Sequence, residues 1–256
     1  MLSTDLLVDC LIEERKLKSK GVFYLFTQVD FAYNSNCIEG SCLTQNHTRS
    51  LFETKTILAD KDTLIRSDDI IETNNHFRAF DYMLDNYKKP LSEQLIKDIH
   101  GILKANTSDA DLTWFNVGDY KSQENMIGDM ETTRPENVHA DISVLLEKYL
   151  TIKTKGIGDI IDFHVKFEKI HPFQDGNGRV GRMIMFKECL NHNVIPFIID
   201  AEHKGFYYRG LCEYFKEKGY LRDTCLLAQD KYSAYCKKLV PKFEKTLKQK
   251  EVDLSR

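Results

Sequence analysis

The feature that most limits how this 256-residue chain can fold is the spacing of its apolar residues. Over Ile70–Tyr87, Leu91–Ala105, Val138–Leu150, Ile160–Ile170 and Val180–Leu190 they recur at every third or fourth position, the period of a helix with one buried face. Only five prolines interrupt the chain. Ser92, followed by Gln94 and Asp98, and Asp223, set before an apolar run, read as helix starts. The pattern predicts an all-α bundle with short connections. The first sixteen residues, MLSTDLLVDCLIEERK, carry acids where a signal peptide carries bases, and read as a further helix.

Bulk properties narrow the class. A chain of this length with 42% hydrophobic residues can bury a core without crosslinks. A net charge of −3 gives no global field for nucleic acid or an anionic membrane, and neither partner is expected. No apolar run approaches the roughly 18 residues of a membrane span. The seven cysteines form no Cys-x-x-Cys pair. They read as reduced core thiols of a cytoplasmic protein, against a disulfide framework or a zinc site. The basic stretch from Lys237 to Lys250 reads as a solvated final helix.

Residues 106–136 break the helical rhythm with turn formers, among them Asn116-Val117-Gly118 and Ile127-Gly128-Asp129. An irregular stretch this long inside a compact domain is uncommon and often functional. Tyr120 to about Met130 is expected to form a small hairpin or flap, a plain surface loop being the alternative.

Residues 171–182, HPFQDGNGRVGR, concentrate the chemistry. Pro172 lacks an N–H and restricts the residue before it, so His171 should close a helix at the edge of a loop. Phe173 should point inward and anchor that loop. Gly176, Asn177 and Gly178 supply a turn with bare backbone, whose successive N–H groups make an anion-binding concavity. A helix beginning at about Asn177 aims its positive end at the same place. Asp175 beside such a concavity would repel phosphate unless a cation stood between them, and Mg²⁺ takes one or two carboxylates plus phosphate oxygens. Arg179 and Arg182, three residues apart, share a helix side and can clamp phosphate in pairs of N–H groups. His171 next to a polyphosphate can take the proton of an attacking hydroxyl. Taken singly, these residues read as a cap, a turn and a solvated face. Their coincidence at fixed offsets favours the nucleotide site.

The stretch resembles the signature of the Fic family (filamentation induced by cAMP), H-P-F-x-[DE]-G-N-G-R-x-x-R, at every specified position: His171, Pro172, Phe173, Asp175, Gly176, Asn177, Gly178, Arg179 and Arg182. The likeness extends from roughly His100 through Tyr208. It implies an all-α, Fic-like helical bundle with a small β-hairpin flap, and transfer of AMP from ATP to a Ser, Thr or Tyr hydroxyl of a protein, the chain itself included. His171 would be the general base and Asp175 the Mg²⁺ ligand. Gly176, Asn177 and Gly178 would cradle the phosphates, and Arg179 and Arg182 would bind the outer ones. The flap, about 118–131 and including Lys121, Met126, Ile127 and Gly128, would hold the target chain by backbone pairing.

Residues 35–40, SNCIEG, match the family's inhibitory [ST]-x-x-x-E-[GN] pattern at Ser35, Glu39 and Gly40. The position resembles the class with an N-terminal inhibitory helix. Glu39 would then reach Arg182 and compete with the γ-phosphate of ATP. The same Glu aligns a hydrolytic water in some relatives, so removal of AMP is the alternative direction. Tyr207 and Tyr208 fall where relatives wall the adenine, half-buried helix residues being an equal reading. Phe215 departs from an Asn that some relatives carry nearby.

Gly178 favours AMP transfer over the Doc-like phosphotransferases, whose pattern places Lys there. The intact His171, Asp175, Arg179 and Arg182 argue against a non-catalytic interaction module. The organisation expected is N-terminal helices over 1–60, a Fic core over 61–218 and a helical extension over 219–256, with homo-oligomerisation open.

Overall fold

The computed structural model describes residues 3–16, 22–58, 64–128 and 130–254, with the side chains of 130 and of 241–254 left aside. Ten helices carry the described chain: α1 (Thr4–Lys16), α2 (Val22–Ile38), α3 (Gln45–Thr54), α4 (Ser67–Asp85), α5 (Glu93–Lys104), α6 (Pro135–Leu150), α7 (Ile157–Ile170), α8 (Asn177–Asn191), α9 (Lys204–Glu213) and α10 (Gly219–Leu254). Short 3₁₀ turns lie at Ser108–Asp111 and Ala201–His203. The strands β1 (Met126–Ile127) and β2 (Met130–Glu131) pair antiparallel, with Met126 opposite Glu131. The fold is all-α with one small hairpin. Among the described residues no helix is long and apolar enough to cross a membrane.

Local chemistry sets the helix ends. The Ser92 hydroxyl caps α5 by accepting from the Leu95 amide at 3.2 Å, and Gln94 donates to Asp98 one turn on. Asp223 does not start a helix. α10 begins four residues earlier at Gly219, because Leu221 already packs fully buried against α9. The basic tail continues this helix, although its side chains from 241 lie outside the described residues.

The central element is α8. All residues from Arg179 to Leu190 are buried, as in a helix enclosed on every side. α7, α5, α4, α2 and α1 surround it. Phe186 of α8 stacks on Phe31 of α2 at 5.3 Å and meets Phe80 of α4 edge-on at 5.5 Å. These aromatic contacts pack α2 and α4 against the middle of α8, and Arg182, one turn earlier, meets Ser35 of α2. α10 lies against α9, α1, α2 and α7.

The hairpin is shorter than the expected Tyr120–Met130 flap. Tyr120 to Asn125 form no strand: the Tyr120 carbonyl accepts from Asn116 and Lys121 donates to Asn125, and Asp129 lies outside the described residues.

α9 and α10 approach so closely at Gly210 that a β-carbon there would lie 2.7 Å from the Leu221 α-carbon. Both sides of this contact are backbone and cannot turn away. Gly210→Ala should therefore lose about 1–3 kcal/mol of stability in urea denaturation. An unchanged midpoint would contradict this packing.

Candidate active site

The site forms where α7 stops and α8 starts. His171 closes α7 in the left-handed region, φ 52° and ψ 61°, and its amide still donates to the Phe167 carbonyl at 2.9 Å. Pro172 bars further helix, so the strained residue is the one that carries the imidazole. Its Nδ1 lies 3.3 Å from the Glu168 carbonyl, which can only accept. Nδ1 therefore holds the ring proton and Nε2 keeps its lone pair. Burial pushes the His171 pKa down to about 4, aided by the Lys121 charge and opposed by the Glu168 carbonyl, Glu39 and Asp175. The ring is thus a neutral base at neutral pH.

The loop that follows is held from inside. Phe173 is fully buried and stacks on His100 of α5 at 3.9 Å with rings 3° from parallel. His100 accepts from the Gly118 amide through Nδ1, so its Nε2 donates to the Asp175 carbonyl at 3.2 Å. Gly176 takes φ +82°, which a side chain would resist. The Asn177 side chain faces inward rather than toward a phosphate. It accepts from the Phe173 amide and donates to the Phe173 carbonyl, both at 2.8 Å, and so closes the turn. Only the Asn177 backbone remains for a ligand.

Two charge clusters lie on the first turns of α8. In one, Lys104 donates to Glu72, Asp109 and Asp175, each at 2.7 Å, and Arg179 pairs with Glu72 and with Asp175 at 2.9 Å. Burial opposes ionisation of Asp175, but the Arg179 and Lys104 cations override it and hold its carboxyl below the usual range. In the other cluster, Arg182 donates from Nε to the Ser35 hydroxyl at 3.0 Å. Its Nη2 donates to the Ser35 carbonyl at 2.9 Å and to Glu39 Oε1 at 2.7 Å. Nη1 is buried with no partner among the described residues. It points at the bare face of Gly178, 2.9 Å from where a β-carbon would stand, and Glu39 Oε1 presses into that same space. A carboxylate thus fills the bare-backbone cup. Gly40 follows at φ +92°, and its carbonyl accepts from Arg66 at 2.9 Å.

Tyr207 is 1% exposed and forms no wall for a base. Its hydroxyl meets His164 Nε2 at 2.7 Å and its ring lies under the Arg182 guanidinium, because its neighbours in the second core cluster enclose it. Tyr208 is 40% exposed and donates to the Ile38 carbonyl, tying α9 to the end of α2. Lys121 is not an exposed flap residue. It is buried beneath the hairpin, whereas Met126 is exposed, Ile127 half-buried and Gly128 turned at φ +57°.

Sequence reasoning missed Glu72, Lys104, His100 and Glu168. A signal for two of them exists. Ile96, His100 and Lys104 recur every four residues on the apolar face of α5, so a cation on the core stripe called for partners. Glu168 carries no such mark. Burial, with Glu39 nearby, pushes its pKa up to about 8.

Residues 90–189 match the Fic/DOC family model. That match spans less than half of the 256-residue chain. It is 26% identical over 183 residues to a protein adenylyltransferase Fic of Nematostella vectensis, covering 70% of this chain and 41% of that relative. It is 25% identical over 184 residues to protein adenylyltransferase fic-1 of Caenorhabditis briggsae, covering 71% and 35%. The chain therefore spans less than half the length of either relative. Its fold is that of a Fic domain containing signaling protein from Bacteroides thetaiotaomicron, with a TM-score of 0.66 at 20% identity and 91% of each chain covered. Fic-1 from C. elegans superposes with a TM-score of 0.67 at 18% identity, covering 91% of this chain and 69% of that one.

Two measurements test this geometry. The His171 ring should titrate near its depressed pKa of about 4 in NMR, neutral above and charged below, and a midpoint at the ordinary 6.5 would contradict its burial. Asn177→Ala should cost about 1–3 kcal/mol in urea denaturation through two lost loop bonds.

Proposed function

We propose that the chain is a protein adenylyltransferase restrained by its own Glu39. The observation that carries this reading is the seat beside Gly178. There a buried, unpartnered Arg182 Nη1 and bare backbone face a space that holds the Glu39 carboxylate. A buried guanidinium donor with no acceptor is costly, so the seat favours an anion with more oxygens than one carboxylate offers. A nucleoside triphosphate supplies them, and the names of the relatives point to ATP.

The reaction follows from the placement of the base. A Ser, Thr or Tyr hydroxyl of the target attacks the α-phosphorus as His171 Nε2 takes its proton. The new O–P bond forms, the bond from the α-phosphorus to the bridging oxygen breaks, and pyrophosphate leaves with the electron pair. Arg182 and Arg179 bind the outgoing charge, and the backbone of Gly176–Gly178 holds the phosphates in line.

Mg²⁺ fits this donor set. Among the described residues no three His, Cys, Asp or Glu side chains are grouped to hold a metal. Asp175 alone suffices for an ion that otherwise takes phosphate and water oxygens. Its carboxyl is held ionised, both of its ion pairs use Oδ2, and its side chain is half exposed. A bound Mg²⁺ would neutralise phosphate charge there.

Glu39 restrains the reaction by holding Arg182 against α2. A terminal phosphate must compete with it for the same guanidinium, and where it fails the α-phosphorus is not in line for attack. Ser35 and the Tyr208 bond to Ile38 keep the end of α2 in place for this contact. The target strand pairs with the exposed edge of the hairpin.

Incubation with ATP and Mg²⁺ followed by intact-mass measurement tests the reading. Glu39→Gly should add AMP to itself or to a target at least tenfold faster than the unchanged chain. His171→Ala in that background should abolish the gain while retaining ATP binding. Equal rates with and without Glu39 would remove its inhibitory role, and loss of activity in Glu39→Gly would favour AMP removal.

A further inference from the structure

The hairpin has two residues in each strand, and a two-stranded hairpin is marginal unless something holds it. What holds this one is an ammonium group. Lys121 Nζ donates to Asn125 Oδ1 and to Thr132 Oγ1, both at 2.6 Å. Asn125 immediately precedes β1 and Thr132 immediately follows β2, so one cation joins the two feet of the hairpin. The Thr132 hydroxyl also donates to the Asn125 carbonyl at 3.0 Å.

The same residues grip the catalytic loop. The Lys121 amide donates to the Pro172 carbonyl at 2.9 Å, and Asn125 Nδ2 donates to the Phe173 carbonyl at 2.9 Å. These carbonyls belong to the two residues that follow His171. Lys121 is only 3% exposed, and removing an ammonium from water is costly unless its donors are satisfied. The loop could be closed by neutral groups alone, so a buried charge at this junction calls for a role.

We propose that Lys121 is a positioning residue that locks the flap and the His171 loop into one body, so that a strand paired with the flap presents its hydroxyl to His171 in fixed register. This rests on the adenylyltransferase reading for the identity of the strand, but the mechanical lock stands on the bonds themselves. The charge contributes a second effect. It opposes protonation of His171, while the Glu168 carbonyl and the Glu39 and Asp175 carboxylates work the other way.

Hydrogen exchange on the whole chain without nucleotide separates the lock from activity. Lys121→Met keeps the length of the side chain and removes its donors. Exchange should rise about tenfold or more, together, in 126–131 and at the amides of Phe173 and Gln174. Thr132→Val, a milder change, should raise both by a smaller factor, and Lys121→Arg should restore protection. In the Glu39→Gly background, Lys121→Met should raise KM for the target protein and leave KM for ATP unchanged. Loosening of the hairpin alone, with Phe173 and Gln174 still protected in both Lys121→Met and Thr132→Val, would overturn the proposal. A joint rise, with no AMP transferred by the Glu39→Gly chain, would refute the transferase reading and leave the lock intact.

Discussion

A guanidinium buried in the centre of a helical bundle must be satisfied, and the arrangement around the site follows from how Arg182 is. It is 3% exposed, and burial works against its charge until Glu39 restores it. Ser35, in the last turn of α2, supplies two oxygens, and Glu39, the residue after the helix, a third. The ion pair therefore does more than stabilise. Removing one partner of a buried pair leaves the other charge uncompensated, so Arg182 is costly to separate from Glu39 unless another anion replaces it.

The neighbouring cluster has a complementary logic. Asp175 lies between two cations, Lys104 and Arg179, and each of these also reaches Glu72. With Asp109, which Lys104 also reaches, the cluster sets two positive charges against three negative ones. They fix the carboxylate ionised at the mouth of the site, at the end of α7 and beside the neutral imidazole of His171. The geometry of the loop after His171 is carried by the core. Phe173 stacked on His100, and Asn177 closing the turn, set the loop before any ligand binds.

Much of this was legible in the sequence, for identifiable reasons. Three- and four-residue periodicity located α4 through α8 to within a few residues, because each buries one apolar face or, for α8, all of them. Pro172 announced the stop after His171, and Gly176 the turn before α8. The SNCIEG stretch pointed at Arg182, and the structure brings the two together. What periodicity could not reveal was side-chain direction. Asn177 and Tyr207 both turn inward, one to close a loop and the other to meet His164, although type and position suggested a ligand for each. Lys121 likewise sits below the hairpin, since its partners Asn125 and Thr132 are set by tertiary closure and not by local pattern. Asp223 lost to Gly219 as a helix start because packing of Leu221 outweighed a favourable cap.

In the proposed function, the Glu39 carboxylate stands where a phosphate of the nucleotide would bind. A crystal structure of the chain with a non-hydrolysable ATP analogue and Mg²⁺, beside that of Glu39→Gly, measures it directly. In Glu39→Gly a phosphate oxygen should lie within hydrogen-bond reach of Arg182 Nη1 or Nη2, over the bare face of Gly178. A nucleotide bound elsewhere in Glu39→Gly, with that face empty and Arg182 still turned to Ser35 alone, would contradict it.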